Sequence, residues 1–167
     1  MSLEQDINQW DGKCAADIAD IFKLYKEKSG FVDALIHLLP VGSAEKGATW
    51  LLKTWLDQGG PLSKEQSDGI IDCFDSLRYW ESKLHLLQSL ASLTIDAEHK
   101  LLVERFLRST LVDNNKFVRA WSYNGFYELA RRYPEYKEET KRFFDMAMRD
   151  EAASVKARIR NILKTGF

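Results

Sequence analysis

The chain has 167 residues, 45% hydrophobic and 29% charged, a composition that suits one compact core and excludes a disordered or low-complexity chain. A net charge of −1 and a pI near 6.3 leave no uniformly basic surface for nucleic acid, so only a local patch could serve one. No apolar run reaches the roughly 18 residues of a membrane span, and "MSLEQDINQWDGK" has no signal-peptide core; a single cytoplasmic domain over 1–167 is expected, with Met1-Ser2-Leu3 readable as an appended leader.

Apolar residues recur at helical spacing without strict alternation, so helices are expected over 14–28, 31–39, 43–58, 63–77, 80–93, 97–111, 115–133, 135–149 and 152–164. Pro40, Pro61 and Pro134 fall where these patterns stop or start, as do Gly30, Gly42, Gly59, Gly60 and Gly166. The short intervals make neighbouring helices antiparallel hairpins.

The hairpins repeat. "DNNKFVRA" at 113–120 and "DEAASVKA" at 150–157 share Asp, four residues, Val, a basic residue and Ala. An apolar template x, x+4, x+7, x+8, x+11 catches Cys14, Ile18, Ile21, Phe22 and Tyr25, then Ala44, Ala48, Leu51, Leu52 and Trp55. It next catches Ser82, Leu86, Ser89, Leu90 and Leu93, then Val118, Ser122, Gly125, Phe126 and Leu129, and last Val155, Ile159, Ile162 and Leu163. The tetratricopeptide signature is absent. "DNNKFVRAWSYNGFYELA" and "DEAASVKARIRNILK" instead resemble HEAT repeats, whose first helix opens with Asp, then Val-Arg and small and apolar residues. The resemblance is strong over 113–164, moderate over 80–111 and weaker over 14–77, where Glu45 holds the place taken by Lys83, Arg119 and Lys156. It implies an all-α, right-handed superhelix of about four and a half stacked hairpins (14–39, 43–77, 80–111, 114–149 and the terminal helix 152–164), since one hairpin cannot bury its apolar face alone. Lys156, Arg158, Arg160 and Lys164 would give the last helix the polar outer face of a cap.

Charge is uneven along the chain. Residues 1–97 carry 9 Lys/Arg against 15 Asp/Glu, whereas 98–167 carry 15 against 10. Arg105, Arg108, Lys141, Arg142 and Arg149 form a candidate basic patch if the fold pools them, because Arg forks match carboxylate and phosphate. On the helix containing Phe126, Trp121 lies off the core stripe beside Asn124, Glu128 and Arg132; these four are the candidate partner-binding residues, against the alternative that Trp121 packs on a flanking helix. Arg119 is expected to pack its stem between units and bond its guanidinium to an Asp or a carbonyl.

Catalytic and cofactor signatures are lacking. His37, His85 and His99 have no metal-binding spacing and read as surface or boundary residues, "QGGPLS" is a turn without a phosphate-loop pattern, and GxSxG and HExxH do not occur. Cys14 and Cys73 read as small core residues, not a disulfide or zinc pair. No cofactor, metal or catalytic residue is therefore assigned. A non-enzymatic module presenting a helical-repeat surface to a protein partner is the leading expectation. The alternative is a nucleic-acid binder related in architecture to the alkylated-base DNA glycosylases built on HEAT-like repeats, with no catalytic motif to carry over.

Overall fold

In the computed structural model, which describes residues 1–167, the chain forms ten α-helices and no strand. The helices are α1 Leu3–Gln9, α2 Ala15–Tyr25, α3 Phe31–Leu38, α4 Glu45–Asp57, α5 Lys64–Asp72, α6 Trp80–Ser89, α7 Lys100–Thr110, α8 Lys116–Arg132, α9 Lys137–Asp150 and α10 Ala153–Leu163. Each of the nine helices expected from periodicity is present, with short 3₁₀ turns at Phe74–Ser76, Leu90–Ser92 and Pro134–Tyr136 in place of expected α-helical ends. No helix is long and apolar enough to cross a membrane.

One element escaped the periodicity. Helix α1 buries only Leu3 and Ile7, too few apolar residues to establish a period. Its start is nevertheless encoded: the Ser2 hydroxyl accepts from the Gln5 N–H while the Gln5 amide oxygen accepts from the Ser2 N–H, a reciprocal capping box. The same device, Ser63 with Gln66, opens α5.

The chain packs as two compact units, Met1–Thr94 and Ile95–Phe167. In the first unit α4 packs on α1, α2, α3 and α6, and α3 on α5. Gly47 permits the approach of α1, because a Cβ there would lie 2.5 Å from Ile7 Cγ2. Edge-on aromatic contacts link Trp10 to Trp50, Trp50 to His85, and Phe31 to both Phe22 and Trp55.

In the second unit α8 is the central helix, packed on α7, α9 and α10. Its buried residues run almost round the circumference, from Val118 and Ala120 through Tyr123, Phe126 and Ala130, so no single apolar stripe stands out in its sequence. Ala120, Tyr123, Phe144, Ala147, Val155, Ile159 and Ile162 form a joint core of α8, α9 and α10. The Ser122 hydroxyl, wholly buried, donates to Thr110 Oγ1, which in turn donates to the Phe106 carbonyl; small polar residues at a core position are tolerated because they are satisfied.

The repeat template matches burial closely. All its positions are buried except Cys14, Ile21 and Trp55, which are half-buried, and Leu163, which is 45% exposed. The two cysteines are half-buried and free, not core residues; burial, then the neighbouring Asp72 charge, pushes the Cys73 thiol up.

In two of the units the residue after the template start fastens the beginning of a later helix. Glu45 is fully buried, and its Oε1 accepts the backbone N–H groups of Arg78 at 2.9 Å and Tyr79 at 3.1 Å, just ahead of α6. Arg119 does the converse in the second unit, donating Nε and Nη2 to Glu151 at 2.9 and 3.1 Å, just ahead of α10. Its Nη1 reaches the Asp113 and Asn114 carbonyls, the expected structural use with a glutamate as the acid. Glu151 in turn accepts the Ala152 N–H. Opposite charges at one repeat position therefore perform one task.

His85 gives the first unit a pH dependence. Thr49 Oγ1 lies 3.1 Å from the Lys46 carbonyl and 2.9 Å from His85 Nδ1, so the imidazole is hydrogen-bonded within the fold. Burial, with the Lys53 charge opposing protonation and Glu81 favouring it, brings the imidazole pKa down to about 4 from 6.5. At this site the unfolded chain takes up a proton between these values and the folded chain does not, so the contribution of His85 to stability is full above pH 6.5 and falls as the pH drops towards 4. The loss is expected to total about 3 kcal/mol. Urea unfolding at pH 7 and pH 4.5 should show it, and a His85→Gln chain, with nothing to titrate at that position, should lose distinctly less over the same interval; equal losses in the two chains would refute the assignment.

Candidate functional site

The four candidate partner-binding residues lie on α8, which holds Trp121, Asn124, Glu128 and Arg132 along one side. Their environments differ. Glu128 is only 6% exposed and pairs with Arg131, one turn on, at 3.2 Å. Burial disfavours the charged form of the Arg132 guanidinium, with Glu128 opposing and Arg131 reinforcing that effect. Trp121 and Asn124 are half-buried.

Trp121 is covered from α10. The Arg158 guanidinium carbon lies 4.6 Å from the centre of its ring, within the range of a cation–π contact. Arg158, expected on the polar outer face of the last helix, instead meets Trp121; the two are the x+3 residues of successive template segments. The packing explanation for Trp121 is therefore partly met, by a cation instead of an apolar edge.

The candidate basic residues are divided between helices and between fates. Arg108 on α7 donates Nη2 to Glu104 at 2.8 Å and to Glu139 at 2.6 Å, with its guanidinium 5.7 Å from the centre of the Phe126 ring. The Tyr136 hydroxyl closes the cluster by donating to Glu104 Oε2 at 2.7 Å. Burial alone would raise the Glu104 pKa, but the Tyr136 and Arg108 hydrogen bonds outweigh it and hold the carboxyl below its usual range. Glutamates thus neutralise Arg108. Arg105 is exposed on α7, and Lys141, Arg142 and Arg149 are exposed on α9, where Asp145 shares their solvent-facing stripe.

The histidines are dispersed. His37 is exposed, and the His99 ring nitrogen Nδ1 lies 2.8 Å from Asp96. His85 faces a groove between α4 and α6 of about 370 Å³, lined also by Trp50, Lys53, Thr54 and Gln88. With Nδ1 hydrogen-bonded to Thr49, the groove receives an imidazole whose pKa lies well below neutrality, poorly matched to a general base working at pH 7.

No family model, curated protein or solved structure matches the chain. Function has to be argued from the surfaces themselves. In the second unit three arginines are bound to glutamates: Arg108 to Glu104 and Glu139, Arg119 to Glu151, and Arg131 to Glu128. Arg158 is half-buried like Arg119 but has an aromatic ring where Arg119 has a carboxylate.

Proposed function

We propose that the protein is a non-enzymatic, HEAT-like interaction module: a short right-handed superhelix of stacked hairpins that presents a helical surface to another protein in the cytoplasm. The observation that carries the reading is how the polar groups of the repeat are used. Glu45, Arg119, Glu104 and Arg108 are engaged in hydrogen bonds that hold helix to helix, while Trp121 stays half-buried at the side of α8 with Phe117 47% exposed one turn before it. Packing of first helix on first helix, α4 on α6 and α8 on α10, supports the stack, as does burial of the same template positions in successive units. Aromatic residues presented from rigid helices are effective anchors for a protein partner.

Affinity capture from the native cell tests this reading, with the wild-type chain and a Trp121→Ala, Arg132→Ala double variant as baits. A protein retained by the wild type and lost from the variant is expected. Failure of the wild type to retain any protein, together with a low-salt DNA or RNA mobility shift that collapses as salt is raised, would transfer the module to nucleic acid.

A further inference from the structure

Helices α8 and α10 are both first helices of the repeat, so residues 37 apart occupy the same wheel position. Phe117, Trp121 and Asn124 on α8 correspond in this way to Ser154, Arg158 and Asn161 on α10, and the contact of Arg158 with Trp121 brings one such pair together. Phe117 is 47% exposed, with the Lys116 ammonium 5.3 Å from its ring centre. Two donors at this place are unmet: Arg158 Nε and, one turn earlier on the same face of α10, Ser154 Oγ are buried with no hydrogen-bond partner in the protein. Buried donors are nearly always satisfied, and a half-buried guanidinium ordinarily finds a carboxylate, as Arg119 does here. The contact with Trp121 holds the Arg158 guanidinium carbon 4.6 Å from the ring centre with no carboxylate paired to it, and an unpaired guanidinium fork suits a planar anion.

We propose that Trp121 and Arg158 form the anion-recognising centre of a docking surface for an acidic peptide segment, whose carboxylate binds the Arg158 guanidinium while a neighbouring apolar side chain lies on Phe117. This deepens the protein-interaction reading and rests on it. Charge and shape select the occupant. A nucleic-acid strand needs a row of cations following its backbone, whereas the Trp121 contact offers one guanidinium, with the Lys116 ammonium beside the exposed Phe117 ring. A single aspartate or glutamate beside a leucine-like residue matches it.

The test is a titration of the full chain, followed by NMR at the Arg158 Nε–H resonance, with a short synthetic peptide alternating glutamate and leucine. The expected result is a saturable shift of that resonance, and in an anisotropy assay about tenfold weaker binding by Arg158→Lys, which keeps the charge but loses the fork. Arg160→Lys, on an exposed part of α10, should bind as the wild type does. The wild-type NMR readout stands even if a variant fails to fold. An unmoved resonance, equal affinity of Arg158→Lys and wild type, or tighter binding of a short single-stranded DNA at the same resonance would overturn the proposal. If a cellular partner is still captured by Arg158→Lys at wild-type level, this site fails while the interaction module survives; if the wild-type chain captures none, the module reading itself fails.

Discussion

Replacing Phe126 by alanine is expected to destabilise the protein by about 3–5 kcal/mol. The side chain is fully buried, meets the Phe143 ring edge-on with centroids 5.1 Å apart, and lies beneath the Arg108 guanidinium. Truncation removes the transfer energy of a phenyl ring and opens a cavity among α7, α8 and α9 that rigid helices fill only in part. It also strips the aromatic surface from beneath an arginine shared by Glu104 and Glu139. Leu163 supplies an internal control, because it occupies the same template position, x+8, in the following unit but is 45% exposed. Leu163→Ala should cost under about 1 kcal/mol. Urea melts of the two variants decide the matter: similar losses would mean that the template marks sequence periodicity without marking the core, and a Phe126→Ala loss below about 1 kcal/mol would refute the helical register.

That contrast shows what the chain discloses locally. Helix positions and the buried stripe follow from spacing of about 100° per residue, which each segment carries on its own; hence Ile18, Ala48, Leu86, Phe126 and Ile159 are identified correctly. Helix α1 is lost to the same method because seven residues with two buried side chains set no period, although its Ser2–Gln5 box was readable. Polar partnerships are another matter. Arg119 was recognisable as structural, but its acid is Glu151, 32 residues away and distinguished only by preceding α10. Trp121 was recognisable as off the core stripe, yet nothing in its own helix names Arg158 as the group over its ring. Aligning successive first helices at x+3 would have placed the two residues side by side, so the repeat carries some long-range information that a single helical wheel does not. The grouping of Arg105, Arg108, Lys141, Arg142 and Arg149 was the least legible feature, since glutamates on α7 and α9 determine that Arg108 is neutralised.

Glu45 offers the sharpest separation between resemblance and physical environment. Aligned with Lys83, Arg119 and Lys156, it departs from the repeat, and a consensus argument would correct it to a basic residue. The structure predicts the reverse outcome: Glu45→Lys should lose about 3–5 kcal/mol, by removing the acceptor of the Arg78 and Tyr79 N–H groups and setting an ammonium against those donors at a fully buried position. The acidic side chain also sits in the first turn of α4, where the helix dipole favours negative charge and opposes positive. Glu45→Gln distinguishes the hydrogen bonds from the charge. Its amide oxygen can replace Oε1 as acceptor, and Oε2 has no partner in the protein to lose; a change of about 1 kcal/mol or less is expected. Both variants can be measured by urea unfolding at pH 7, above the titration of His85. A Glu45→Lys chain as stable as the wild type would mean that the joint between α4 and α6 tolerates either sign of charge, and would remove the carboxylate from its assigned role. A Glu45→Gln loss as large as that of Glu45→Lys would instead place the stabilisation in the charge and the helix dipole, not in the two hydrogen bonds.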